Sequence, residues 1–210
     1  MSWTGLWLIG PIPDAEARDL PFRFLHLWEP GTGGPSRDLG DSLRWWAEGG
    51  EPMLEHDSGG RVHATRAAER FAALVRSAHP ETPAAEALRD ACLNLVEQAG
   101  THFAAVLRKT DPATALCYAL GHDAALQLPG MLGDFLLTAQ EVRDSLPAAE
   151  RVLDLSGRRR AEVLAGITDW IAATGDAPGY DPAELLDGPL RMLRLAAATG
   201  AGAAGLCRTY

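Results

Sequence analysis

The chain contains a run of 29 residues, 112–140, that has no lysine, arginine or glutamate. The ionisable side chains within it are Cys117, Tyr118, His122, Asp123 and Asp134. Exposed segments normally recruit Lys, Arg and Glu, whereas buried segments cannot hold unpaired charge cheaply. We therefore expect the run to be covered by protein. Its histidine and aspartates then form either a hydrogen-bonded structural network or a working site.

Length and charge limit the classes of protein to which the chain can belong. Its 210 residues, 47% of them hydrophobic, suffice for a single domain with a sizeable core. The formal net charge of −9 argues against nucleic-acid binding, which needs clustered positive charge. No apolar stretch resembles a secretory signal or an uninterrupted membrane span. We expect a cytoplasmic protein that engages neither nucleic acid nor membrane.

The basic residues and the cysteines indicate the origin and the redox environment of the protein, but they do not indicate which reaction it carries out. There are 18 arginines but one lysine, Lys109, and this bias, with abundant alanine and glycine, is typical of a GC-rich bacterial genome. The cysteines Cys92, Cys117 and Cys207 are scattered and odd in number. They predict neither a disulfide framework nor a zinc site, so a reduced interior fits best.

Turn residues and apolar spacing predict a mainly α fold in one domain, residues 1–210. Residues 1–60 hold five of the six tryptophans and several Pro and Gly clusters, and they read as a small β or irregular segment. Short strands are expected at residues 5–9 and 22–28. Residues 64–206 are expected to form a bundle of about five to seven helices.

Capping residues mark several helices of this bundle. Thr82 and Asp111 are each followed by proline, the preferred first residue of a helix. The apolar stripe that follows Thr82 is expected to continue through His102. Further helices are expected at residues 156–174 and 189–206.

The helix that starts at residue 112 would carry polar side chains on two faces. Tyr118 and His122 are four residues apart and share one face, which His102 of the preceding helix is expected to approach. Asp123 points about 100° away and lines up with two other polar residues, Gln127 and Asp134. Either face is a candidate site, and burial would bring these groups into a range where they exchange protons near neutrality.

The tryptophans of the first 60 residues supply a second set of candidates. Trp28, Trp45 and Trp46 either wall a pocket for a flat or cationic ligand, or anchor a partner protein, or lock the N-terminal segment onto the helices. No phosphate-binding loop, nucleophile elbow or metal-ligand spacing occurs in the chain. We therefore expect no metal and no organic cofactor.

Two functions are consistent with these features. The first is a bacterial biosynthetic enzyme that uses His122, Asp123 and Asp134 as acid-base groups, oriented by His102 and Tyr118, for an elimination, cyclisation or isomerisation of a small molecule. The second is a non-catalytic accessory protein that docks on a partner enzyme through its tryptophans. A homodimer is a further expectation, since Ala196, Gly200 and Ala204 would permit close helix approach.

Overall fold

The computed structural model describes residues 3–27, 37–77, 82–175 and 180–210, and a four-stranded antiparallel sheet lies at its centre. The strands are β1 (Thr4–Ile12), β2 (Leu54–His56), β3 (Val62–Ala64), β4 (Phe103–Arg108), β5 (Phe135–Leu137) and β6 (Gly202–Thr209). The central sheet has the order β4, β1, β6, β5. β2 and β3 form a separate hairpin.

Helices cover both faces of the central sheet. Within the described residues they are α1 (Asp14–Arg23), α2 (Arg37–Glu48), α3 (Arg66–Ser77), α4 (Pro83–Ala99), α5 (Pro112–Leu120), α6 (His122–Ala125), α7 (Ala139–Leu153), α8 (Gly157–Thr174) and α9 (Pro182–Thr199). α1 and α4 pack on one face, against Leu8 and Leu206. The other face carries the larger core around Trp7, Phe103 and Trp170. None of these helices is long and apolar enough to cross a membrane.

The expectation of a mainly α bundle with a small N-terminal β segment is wrong, because the fold is mixed α and β. The strand predicted at residues 5–9 is confirmed within β1. The strand predicted at residues 22–28 is wrong, since α1 runs through residue 23 and a 3-10 turn occupies Leu25–Leu27. Three segments from the predicted bundle join β1 in the sheet instead.

Strand β4 occupies the place where the apolar stripe predicted a continuing helix. α4 ends at Gly100, whose φ of 72° lies in the left-handed region that glycine adopts at little cost. Beyond it the residues alternate, with Phe103 and Leu107 buried and Val106 exposed. His102 therefore lies in an exposed connection between α4 and β4 and faces no helix core.

Strand β6 lies in the middle of the sheet, where a helix was expected at residues 189–206. Its small residues allow the neighbouring layers to approach closely. A Cβ atom on Gly202 would lie 2.6 Å from the carbonyl oxygen of Leu137, and one on Gly205 would lie 2.2 Å from Cε1 of Phe135. The glycines that weaken a helix here permit close packing around a central strand.

One end of the sheet brings together the start of β1 and the ends of β4 and β6. Thr4 pairs with Arg108, and Gly5 pairs with Thr209. The connection from β4 to α5 packs on β1 at this point, since a Cβ atom on Gly5 would lie 2.5 Å from the carbonyl oxygen of Thr110. Side chains that are far apart in the sequence therefore meet at this end of the sheet.

Candidate functional site at the end of the sheet

A cavity of about 390 Å³ lies at this end of the sheet, between α3, α8 and the connection from β4 to α5. Its polar wall residues are Glu69, Arg76, Lys109, Thr110, Asp111, Thr114, Trp170 and Thr174. Clefts of this size are typical of small-molecule sites. We refer to it as the polar cavity.

Two of the three threonine hydroxyls in the polar cavity are hydrogen-bonded to Trp170. The indole N–H of Trp170 donates to Oγ1 of Thr110 at 3.2 Å. The Thr174 hydroxyl donates to the carbonyl oxygen of Trp170 at 2.7 Å. The hydroxyl oxygens of Thr110 and Thr174 are also hydrogen-bonded, 3.1 Å apart. This network fixes the α8 wall of the cavity to the connection that precedes α5.

The third hydroxyl, that of Thr114, has no hydrogen-bond partner among the residues that the structure describes. Thr114 is 1% exposed and lies in the first turn of α5. The N-cap of this helix is Asp111, whose carboxylate accepts the Ala113 amide at 2.9 Å. Leaving a buried hydroxyl unpaired costs about 1 to 3 kcal/mol, and such groups are rare in native proteins. Thr114 therefore places a buried hydroxyl without a described partner at the wall of the polar cavity.

Helix α3 contributes two charged side chains to the same space. Glu69 and Arg76 are seven residues apart, which is about 10 Å along the helix axis, and both line the cavity. The small residues Ala68 and Ala72 of the same helix also line the cavity. Neither charged side chain has an ion-pair partner among the described residues. An exposed carboxylate and an exposed guanidinium, neither of them ion-paired within the described chain, thus line one cavity.

Lys109 stands at the turn from β4 into α5. Its φ is 62°, a left-handed conformation that costs energy for a residue other than glycine. Its amide donates to the carbonyl oxygen of Trp3 at 2.9 Å, which holds the turn against the start of β1. Sequence reasoning did not select this residue. The sequence does contain a clue to this residue: Lys109 is the one lysine of a chain that otherwise uses arginine, 18 times, for its basic positions.

A second cavity of about 190 Å³ adjoins the first, and the two share Arg76 and Asp111 as wall residues. Arg89 from α4 and Arg208 from β6 also line it. We refer to it as the arginine lobe. The polar cavity and the arginine lobe are thus neighbours, and we refer to them together as the two-part site.

Asp134, one of the predicted acid-base residues, is bonded to Arg89 of the arginine lobe. Arg89 donates to Oδ2 of Asp134 at 2.7 Å and also bonds to Glu86. The other oxygen of Asp134 accepts the amide of Cys207 at 2.9 Å. Burial lowers the pKa of Arg89, but the hydrogen bond and charge of Asp134 outweigh it and raise that pKa. In this structure Asp134 therefore connects α4 to β6, and its acid-base role stays a prediction.

Tyr118 and His122 do not share a helix face, because the helix expected from residue 112 is interrupted at Gly121. The φ of Gly121 is 84°, and α6 starts with a new direction at His122. Tyr118 instead packs on Trp170, with ring centroids 4.8 Å apart. Burial raises the pKa of Tyr118, and the charge of Asp169 raises it further. Tyr118 therefore contacts Trp170, a wall residue of the polar cavity, but does not itself line the cavity.

His122 and Asp123 form a pair that does not line the polar cavity. Nδ1 of His122 lies 2.8 Å from Oδ1 of Asp123. The Asp123 side chain is 98% exposed, while His122 packs edge-on against Trp46 with ring centroids 5.2 Å apart. Gln127 donates to the backbone carbonyl of Asp123 at 3.0 Å. A role for this pair in proton transfer stays a prediction.

The remaining predicted residues lie apart from the polar cavity. His102 is exposed at the start of β4. Trp46 is buried in the core at 6% exposure, and Trp45 is half-buried beneath the guanidinium of Arg70, 4.1 Å from its ring centre. Trp28 lies outside the described residues. Docking through these tryptophans therefore stays a prediction.

The cysteines are packed inside the protein. All three are buried, and burial raises the pKa of Cys92 and Cys117 to about 12 and that of Cys207 well above its ordinary value. We expect iodoacetamide at pH 8 to leave the folded protein unmodified, because protonated, covered thiols react slowly. Intact-mass spectrometry should show three additions only after guanidinium unfolding. An addition to the folded protein over the same interval would contradict this packing.

The chemical character of the two-part site follows from its side chains. Hydroxyl, carboxylate and guanidinium groups line it. Among the residues that the structure describes, no three His, Cys, Asp or Glu side chains are grouped as a metal site. The arrangement can bind a polar organic molecule and exchange protons with it.

Comparisons with known proteins identify no relative of this chain. No protein-family model, no curated protein and no solved structure matches it. Its function is therefore argued from the geometry of the site.

Proposed function

We propose that the protein processes a small organic molecule in the polar cavity by acid-base chemistry. The reaction belongs to a class for which a positioned proton acceptor and a hydrogen-bond donor suffice, such as an elimination, a cyclisation or an isomerisation. The observation that carries the proposal is the buried, unpartnered hydroxyl of Thr114 on the wall of a cavity of about 390 Å³.

The wall residues divide the chemical work. Glu69 is the proton acceptor, since its carboxylate has no ion pair among the described residues and faces the cavity. Thr114 and Arg76 donate hydrogen bonds to an oxygen of the ligand on which negative charge develops. Trp170 provides an apolar surface whose position is fixed by the Thr110 hydroxyl.

The polar cavity supports acid-base work better than the pair of His122 and Asp123. Glu69 and Asp123 are both exposed, so bulk water screens the charge of each carboxylate, and the difference between the two sites lies in the hydrogen-bond donor. Thr114 is enclosed at 1% exposure, where hydrogen bonds act in a medium of lower dielectric constant. An enclosed donor can favour the charge of a transition state over that of a ground state.

The proposal is tested by the replacement Thr114→Val, which removes the hydroxyl and keeps the side-chain shape. We expect the ligand-free variant to gain about 1 kcal/mol of unfolding free energy, because no unpaired hydroxyl is left buried. Compounds that raise the melting temperature of the wild-type protein in a screen of small organic acids, alcohols and amides should bind the variant about tenfold more weakly. Chemical denaturation and calorimetric titration measure the two effects.

Two further variants make the test specific. Thr114→Ser keeps the hydroxyl and should retain the affinity of the wild-type protein. Thr168 is an exposed residue of α8 whose hydroxyl donates to the carbonyl oxygen of Leu164 at 2.9 Å. Thr168→Val removes this hydroxyl and should leave ligand binding unchanged. The proposal fails if Thr114→Val destabilises the ligand-free protein and binds every compound as the wild type does.

A further inference from the structure

Two arginines of the arginine lobe, Arg76 and Arg208, keep N–H donors that are not used in contacts within the described residues. Arg76, at the junction with the polar cavity, is exposed and has no ion-pair partner among the described residues. Nε of Arg208 is buried and has no hydrogen-bond partner within the described part of the chain. The two residues come from α3 and β6, and both line the same space. A charged N–H group that is shielded from water needs an acceptor.

The other charged wall residues are committed to protein contacts. Arg89 bonds to Glu86 and Asp134. Asp111 accepts the amide of Ala113 and contacts the thiol of Cys207 at 3.8 Å. These contacts satisfy the two acidic residues of the wall, Glu86 and Asp111, and leave the donors of Arg76 and Arg208 as the groups with spare capacity.

The terminal nitrogens of Arg208 have protein partners, but the N–H group at its Nε remains an unused donor. One of them bonds to Asp90, whose side chain is 62% exposed, and the Arg208 side chain is also hydrogen-bonded to Tyr210, another wall residue of the lobe, so the guanidinium is held in place with its Nε buried. A planar guanidinium that is anchored at one edge presents its remaining N–H groups in a fixed direction. This geometry suits an oxygen acceptor that carries negative charge.

We propose that the arginine lobe binds an oxyanion group of the ligand, a carboxylate or a phosphate, between Arg76 and Arg208. The inference rests on the proposed function, because the rest of the ligand occupies the adjoining polar cavity. Arg76 lines both spaces, so it orients the anionic end relative to Thr114 and Glu69. A volume of about 190 Å³ admits a phosphate together with ordered water.

The test uses inorganic phosphate and acetate as probes, with ionic strength held constant by sodium chloride. We expect one or both anions to raise the melting temperature of the wild-type protein saturably. Arg76→Gln should weaken the affinity for that anion at least tenfold, because a charge-assisted hydrogen bond is lost. Arg208→Gln should do the same. Arg66→Gln, on the same helix as Arg76 but outside the walls of both cavities, should leave the affinity unchanged.

Arg76→Gln is the decisive variant, because Arg76 has no ion pair within the described chain whose loss would disturb folding. A response to phosphate alone assigns a phosphate ligand, and a response to acetate alone assigns a carboxylate. The proposal is overturned if neither anion shifts the melting temperature saturably, or if Arg76→Gln and Arg66→Gln bind the anion equally well, since the lobe then holds water only.

The outcomes separate this inference from the proposed function. Compounds whose binding depends on Thr114 but not on Arg76 would leave the proposed function intact and overturn the oxyanion site. A second outcome is that anion binding depends on Arg76 while every compound binds Thr114→Val as tightly as the wild-type protein. That outcome would support the oxyanion site and overturn the proposed function.

Discussion

Arg89→Met is expected to lower the free energy of unfolding by about 3 kcal/mol. The guanidinium of Arg89 is 8% exposed and bonds to Asp134, whose side chain is 20% exposed. Removing the arginine leaves the Asp134 carboxylate charged and largely shielded from water. An uncompensated charge in such a position is far more costly than a lost surface pair. Guanidinium denaturation followed by circular dichroism measures the change.

A second replacement identifies the source of this loss. The double variant Arg89→Met, Asp134→Asn has no stranded charge, and the asparagine oxygen still accepts the Cys207 amide that Asp134 accepts at 2.9 Å. We expect it to recover most of the stability. If the double variant is as unstable as Arg89→Met alone, lost packing of the arginine side chain is the cause, and the stranded charge is not.

An exposed arginine provides the matched comparison. Arg194 also bonds to two carboxylates, those of Glu150 and Asp154, but its side chain is 45% exposed. Arg194→Met should change the unfolding free energy by less than about 1 kcal/mol, because exposed pairs gain little and are screened by salt. An equal loss for both arginines would show that burial of Arg89 does not govern its contribution.

Gly188→Ala is expected to lower the free energy of unfolding by about 2 kcal/mol. Gly188 lies within α9, and a Cβ atom there would be 2.2 Å from Cδ2 of Phe103. The Phe103 ring cannot easily move aside, since it is 1% exposed and packs edge-on against Trp7 with ring centroids 4.9 Å apart. The clash outweighs the helix propensity of alanine, which favours it over glycine by about 1 kcal/mol.

The same substitution at a different glycine isolates the clash. Gly40 is exposed within α2, and a Cβ atom there meets no atom within 4 Å. Gly40→Ala should therefore stabilise the protein by about 1 kcal/mol. Adding Phe103→Leu to Gly188→Ala should recover part of the loss, because the smaller side chain can yield to the new methyl group. A destabilising Gly40→Ala, or a neutral Gly188→Ala, would contradict this packing.

Helix boundaries with clear capping residues were predictable from the sequence. Ser156 and Gly175 bound α8 as expected. The side chains of Thr82 and Asp111 accept backbone amides at the starts of α4 and α5. These signals work because a cap acts within one turn of its helix, so residues that are adjacent in the sequence determine it.

Strands β4 and β6 were not predictable in the same way. Residues 103–108 fit a helical stripe as well as a strand with alternating burial, and residues 202–209 are small and carry little pattern. Both become strands because β1 offers them a pairing edge on each side. That choice depends on residues far away in the sequence, and local propensity does not report it.

The candidate site was only partly visible in the sequence. The expectation that protein covers the whole run 112–140 is only partly right: residues 112–117 are buried, but Asp123, Leu126 and Gln127 are exposed. Thr114, whose hydroxyl carries the proposed function, is one of residues 112–117. Because threonine is not ionisable, a prediction based on acid-base groups does not select it. Glu69 and Arg76 looked like ordinary charged residues on an amphipathic helix, and their lack of ion-pair partners appears only in the fold.

The sequence by itself determined where α5 and α8 begin, that β1 is a strand, and that the start of the run at residues 112–140 is covered. Only the tertiary structure decided which polar groups meet. Glu69, Thr114 and Thr174 come from α3, α5 and α8, and all line the cavity beside the ends of β1, β4 and β6. Capping and periodicity act over a few residues, whereas such a site depends on long-range strand pairing and helix packing.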